Sequence, residues 1–346
     1  MIAVILLLAG MAMLSLAHEL GHAAAAYGFG LRVTDICIGL GPALVRFERR
    51  GVRWMIGPIP LGGFVRVAEL APEDTDLQDD GKSWFSVGSV AKRISVIIAG
   101  PAANYLLATV VALALALGWG VETGRANGLK VVSADDSAKQ AGLAAGDLVS
   151  QVNGHAIGDL RSLSRALADS SDDGLALVSL RRGALDLAIR APRLRARNGA
   201  WGLGAAYVIE PELRQLGLFE GMVHALAEPL LEARSMLVHG VATLTPRRAA
   251  GSRPLGIVGL ADRVHATKSW SARRVLLLGI SLSVAMGLFN LLPFPGLDGG
   301  RLCIEAMQTA WQRRLPARTI IAIQVTGGTI LLAAWLLLTA FEIYRW

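Results

Sequence analysis

Four apolar stretches in this chain are each long enough to cross a membrane, running from about Ile2 to Tyr27, Val90 to Val121, Val275 to Leu292 and Thr319 to Tyr344. A hydrocarbon core about 30 Å thick takes about 20 apolar residues of helix. Wherever such a chain meets lipid, its backbone must satisfy its own hydrogen bonds, which helices do. Composition agrees: 53% of the 346 residues are hydrophobic before the 39 glycines are counted, and 18% are charged. Soluble domains carry about 25% charged residues, so an ordinary soluble enzyme is a poor fit. Cys37 and Cys303, far apart in the chain, supply neither a disulfide framework nor a thiolate zinc site. The first stretch reads as a retained span, because no Lys or Arg precedes Arg32 to form the basic start of a cleaved leader.

The net charge of +7 is read as an orientation signal rather than a nucleic-acid one. Arg32, Arg46, Arg49, Arg50, Arg53 and Arg66 follow the first span, and Arg301, Arg313, Arg314 and Arg318 follow the third. Both short loops are therefore expected on the cytoplasmic side, with both termini and the segment from about Glu122 to Arg274 outside. Within that exterior segment, residues of about Asn127 to Pro192 alternate apolar strands with turn signals, around an amphipathic helix near Leu160 to Ala168. This is the pattern of a small αβ binding module. Residues of about Trp201 to Lys268 read as amphipathic helices and loops.

Inside the first span stands His18-Glu19-Leu20-Gly21-His22. Histidines at i and i+4 share a helix face, so both imidazoles can reach one Zn²⁺, and the glutamate between them can accept a proton from water at the metal. Polar groups in an apolar span are costly unless paired or coordinated. Two histidines leave a catalytic zinc one protein ligand short. Asp298, in Asn290-Leu291-Leu292-Pro293-Phe294-Pro295-Gly296-Leu297-Asp298, is the candidate. The first and third spans run in the same direction and each carries its polar group near its inner end. Such a site lowers the pKa of a bound water to about 7, with Glu19 as general base and then acid. A transmembrane substrate must unwind before attack, and the segment from Ile56 to Val67 can supply a strand edge to hold it.

Taken together, these residues resemble the site-2 protease family of intramembrane zinc metalloproteases, and within it the bacterial regulator-of-sigma-E protease group. The resemblance rests on Ala17 to His22, Ile38-Gly39-Leu40-Gly41-Pro42, Ile59 to Arg66, Ala99-Gly100-Pro101-Ala102-Ala103-Asn104, and Asn290 to Gly300. It implies that His18, His22 and Asp298 bind one zinc ion, that Glu19 is catalytic, and that Asn290 lies near the substrate. It also implies that the stretch from Gly62 to Val67, with Gly62, Gly63, Phe64 and Val65 as substrate contacts, is a membrane-associated β-hairpin. The exterior module resembles a PDZ domain of the bacterial-protease kind, on Ser137 through Val149 and Val152-Asn153-Gly154. Only one such module is present, where tandem members of the group have two.

The expected architecture is a polytopic α-helical membrane protein of four transmembrane helices with an inserted αβ PDZ-like domain. Its parts are the first helix at 1–27, the β-hairpin region at 28–89, the second helix at 90–121 and the PDZ-like domain at 122–195. An exterior helical and loop region at 196–274, the third helix at 275–300, a cytoplasmic loop at 301–318 and the fourth helix at 319–346 complete it. The expected function is an intramembrane zinc endopeptidase of the bacterial cytoplasmic membrane. It would cut a single-pass membrane protein already shortened outside, such as an anti-sigma factor, or a remnant signal peptide. A peptide or protein would bind the PDZ-like module, and no nucleic acid is involved. A PDZ-bearing membrane adaptor with a structural zinc would not need Glu19. A metal or proton transporter would show inverted repeats, and the sequence has none.

Overall fold

A computed structural model describes residues 2–70, 87–169, 174–195, 199–243 and 272–344. The acidic run from Glu73 to Asp80, read as a solvated loop, lies outside the described residues. In chain order the elements are α1 (Ile2–Gly28), β1 (Val33–Leu40), β2 (Val45–Arg49), β3 (Val52–Ile56), β4 (Ile59–Val67), α2 (Val87–Gly118), β5 (Val121–Ala134) and α3 (Asp136–Gln140). There follow β6 (Leu148–Val152), β7 (His155–Ala156), α4 (Leu160–Ala168), β8 (Leu175–Arg182), β9 (Leu185–Pro192), β10 (Leu194–Arg195), β11 (Trp201–Gly202) and β12 (Ala205–Arg214). The last four are α5 (Leu218–Thr243), α6 (Ala272–Asn290), α7 (Asp298–Trp311) and α8 (Ala317–Tyr344). They form two compact units, one of Met1–Ala114 with Met222–Trp346 and one of Leu115–Gly221.

In the first unit, three described helical segments are long and apolar enough to cross a bilayer: Gly88–Gly118, Ala272–Asn290 and Arg318–Phe341. Helix α1, 27 residues long, covers the first apolar stretch. It closes at Gly30, whose φ of +73° lets the Gly30 and Leu31 amides turn back to the carbonyls of Tyr27 and Ala26. Small residues bring α1 against α2. A Cβ on Gly21 would overlap the Ala99 carbonyl and come within 2.6 Å of the Ala103 methyl.

The stretch expected as a β-hairpin is a four-stranded sheet in the order β2-β3-β1-β4. The hairpin was an expectation from the family resemblance; here β4 pairs with β1 rather than β3, and β1 and β3 are parallel neighbours although β2 separates them in the chain. One face of the sheet packs Ile36, Val52 and Val67 on Ala23 and Ala26 of α1 and Val96 of α2. This leaves β4 as an edge strand beside α1. The third helix, expected over 275–300, instead covers Ala272–Asn290. Pro293 and Pro295 carry no amide hydrogen, so α6 ends at Asn290 and a turn from Leu291 to Leu297 leads into α7. Much of the expected 301–318 loop is thus helical. Asp298 sits in the first turn of α7, and Gly299, Gly300, Ile304 and Gln308 are buried along it.

The second unit is an antiparallel sheet in the order β12-β5-β6-β8-β9, with β7 paired to β6. Its core contains Leu129, Val131, Val149, Leu163, Leu167, Val178 and Leu180. Helix α4 starts with a capping box between Asp159 and Ser162. The buried Asp147 carboxylate accepts from Arg182 Nε at 2.7 Å, from Arg182 Nη2 at 2.8 Å and from the Ala144 amide at 2.8 Å. Burial alone would raise this carboxyl, but these hydrogen bonds hold it below the usual aspartate range. The unit extends beyond residue 195. Strand β12, in a region expected to hold helices and loops, pairs along β5 from Ala205↔Ala134 to Arg214↔Val121.

Candidate metal centre

Positions 15, 18, 19 and 22 of α1 fall on one helix face, and Ser15, His18 and Glu19 are all buried there. From the start of α7, Asp298 reaches the same point. Its Oδ2 lies 2.9 Å from His18 Nε2 and 3.4 Å from His22 Nε2, and the two imidazole nitrogens are 3.2 Å apart. Donors held at about 2.0–2.2 Å around a tetrahedral ion stand roughly 3.3–3.6 Å from one another. The three atoms therefore have close to the spacing that a single zinc requires. Among the described residues, this is the one cluster of histidine, cysteine and carboxylate groups able to hold a metal.

The surroundings are shaped to the same end. Gly100 of α2 faces both imidazoles, and a Cβ there would overlap His22 Nε2 and come within 2.8 Å of His18 Nε2. His22 Nδ1–H donates to the Val96 carbonyl at 2.8 Å, which leaves the Nε2 lone pair turned toward Asp298. The Asn104 carboxamide lies 3.2 Å from His18 Nδ1. Glu19 stands next to the cluster. A Cβ on Gly63 would lie 3.1 Å from its Cγ and Oε1, so the β4 backbone runs directly past the carboxyl. Ser15 Oγ donates to the Gly62 carbonyl at 2.7 Å and ties that strand to α1. An ion pair from the buried Arg93 Nε to the half-buried Glu305 Oε2, at 2.8 Å, joins α2 to α7.

The centre opens on a cavity of about 1050 Å³, which Arg93, Val96 and Glu305 also border. His18, Glu19, His22 and Asp298 line it together with Gly62, Gly63, Phe64, Val65 and Asn290, so the structure brings every site residue expected from the sequence to one place. Ser15 and Val96 stand outside the residues read from the sequence, and Gly100 and Asn104 entered there only as members of the Ala99–Asn104 motif, with no role assigned. Ser15 had a signal, since it precedes His18 by three positions on the same face. Val96 acts through its carbonyl, which carries no side-chain signature.

The sequence model of peptidase family M50 matches residues 6–334. The chain belongs to peptidase family M50. Two relatives show how evenly this M50 likeness is spread. A Clostridium perfringens protein that carries a zinc-metalloprotease name is 30% identical over 334 residues, covering 95% of each chain. Metalloprotease MmpA of Caulobacter vibrioides is 28% identical over 373 residues, covering 95% of this chain and 93% of its own. Among solved structures, the PDZ domain of an SdrC-like protein from Listeria monocytogenes is similar to 24% of this chain and 88% of its own, with 20% identity and a TM-score of 0.21. This M50 chain is a membrane-embedded zinc metalloprotease of the site-2 type.

Proposed function

We propose that His18, His22 and Asp298 hold a single zinc ion, and that Glu19 is the catalytic acid–base of an endopeptidase that cuts within or near a transmembrane segment of a single-pass protein. One observation carries this reading: three donor atoms 2.9–3.4 Å apart, with a buried carboxylate one residue from the first of them. Bound there, zinc supplies a Lewis acid for the scissile carbonyl and a water that ionises near pH 7. With the metal bound, the Glu19 carboxylate would take a proton from the attacking water and return it to the leaving amine. The edge strand β4 offers its backbone to an unwound substrate at Gly62, Gly63, Phe64 and Val65, and Asn290 borders the same space.

The Arg-rich short loops support an orientation with both termini and the second unit outside the cytoplasm of a bacterial inner membrane, α1 being the fourth span. The substrate is then a protein already shortened on the outer side, an anti-sigma factor or a remnant signal peptide, and the PDZ-like second unit takes a peptide ligand. Co-expression with tagged single-pass substrates tests the chemistry. Glu19→Gln should keep its zinc and lose at least about 10²-fold in cleavage. Asp298→Ala should lose zinc as well. Undiminished cleavage by the Gln form would sink the mechanism.

A further inference from the structure

Asn104 lies midway along span α2 and is fully buried. Its main-chain carbonyl accepts from Ser283 Oγ of α6 at 2.8 Å, so its place is fixed from a third helix. Its side chain meets His18: Nδ2 is 3.2 Å from the ring Nδ1, while Oδ1 is buried with no hydrogen-bond partner. In that orientation the amide donates to a bare Nδ1, and the ring proton sits on Nε2, the atom facing Asp298. A metal ligand needs the reverse. The Nε2 lone pair must be free, which puts the proton on Nδ1 and requires its neighbour to accept. Amide oxygen and nitrogen are interchangeable in shape, and a half-turn of the side chain places Oδ1 against Nδ1. The orphaned oxygen then gains a donor and His18 gains the tautomer that binds metal.

We propose that Asn104 is the positioning residue for His18, its carboxamide oxygen accepting the Nδ1 proton and so presenting Nε2 to the zinc. The inference rests on the reading of His18 as a ligand. It gives α2 a single stripe of three parts at four-residue spacing. The Val96 carbonyl orients His22, the bare Gly100 leaves room for the ion, and the Asn104 amide orients His18.

The test uses the full chain in detergent, with zinc affinity measured by chelator competition and the visible spectrum recorded after cobalt substitution. Asn104→Leu fills the volume without an acceptor, and should weaken zinc about 10–100-fold and alter the cobalt bands, while Asn104→Asp, an acceptor of smaller bulk than Leu, should stay within about threefold of wild type. A packing role would favour Leu over Asp. Wild-type affinity and spectrum in the Leu form would overturn the proposal, and so would an Asp form that loses zinc. If the Leu form does not fold, the Asp form still decides, because a needed amide donor would cost it the metal. Zinc binding unchanged by Asp298→Ala would instead show that the ligand set itself is misassigned.

Discussion

Gly100 contributes nothing but the lack of a side chain, yet that lack sets how closely α2 approaches the two imidazoles. An alanine methyl there would occupy the space that both Nε2 atoms face. Gly100→Ala should therefore weaken zinc binding by about 10–100-fold, comparable with losing an outer contact of a ligand, and cleavage should fall with it. Metal analysis of the purified variant checks this, and a wild-type zinc content would refute it. At this scale the sequence was informative where the chemistry is local. Two histidines four positions apart must share a helix face, and a proline-broken apolar span ending in Asp298 offered the third donor. It was silent where the chemistry is remote. His22 reaches Val96 across 74 positions and His18 reaches Asn104 across 86, and no spacing rule links residues on separate helices. Asn104 belonged to a recognisable motif, but only the packed helices show which atom it touches.

Strand β4 depends on another bare position. A side chain at Gly63 would overlap the Cys37 carbonyl of β1 and crowd Glu19, so Gly63→Val should lift the strand from the centre. Cleavage should drop at least about 10-fold while zinc stays bound, because the histidines and Asp298 lie on other elements. A variant that cleaves normally would remove β4 from the substrate path. In the second unit, the ion pair from β8 to the loop before β6 gives a prediction with a definite pH dependence. Asp147→Asn should lower stability by about 1–3 kcal/mol at neutral pH, the range for a buried hydrogen-bonded charge that loses its partner. The folded carboxyl titrates below its unfolded value. Its contribution is thus complete above about pH 4 and fades as the pH falls through the folded pKa. Denaturant melts of wild type and variant should converge in acid, and a constant gap would contradict this account. Elements were legible where their partners are near in sequence. Strand β12 was not, since Pro211 interrupts it and its partner β5 lies some 70 to 90 positions earlier. The parallel pairing of β1 with β3 leaves no local signal, because the turn between β2 and β3 reads the same whichever strand β3 pairs with on its other side.

At the scale of the whole molecule, the second unit is an excursion of the chain between α2 and α5, with its own core. The proposed orientation predicts that alkaline phosphatase inserted in the exposed turn at Gly183 should be active outside the cytoplasm. The same reporter inserted within residues 71–86 should be inactive, and the opposite pattern would invert the topology. The apolar stretches and their basic flanks are what this orientation is drawn from, because lipid imposes a length and a charge bias on sequence. The division of the chain also has a consequence for its synthesis. His18 and Asp298 are separated by 280 positions, with the entire second unit made between them. On the proposed ligand set, a growing polypeptide exposes its histidines long before the carboxylate that would complete them exists. Premature termination anywhere in that interval would then yield a fragment without a finished centre, so that proteolytic power would come only from chains translated past α7.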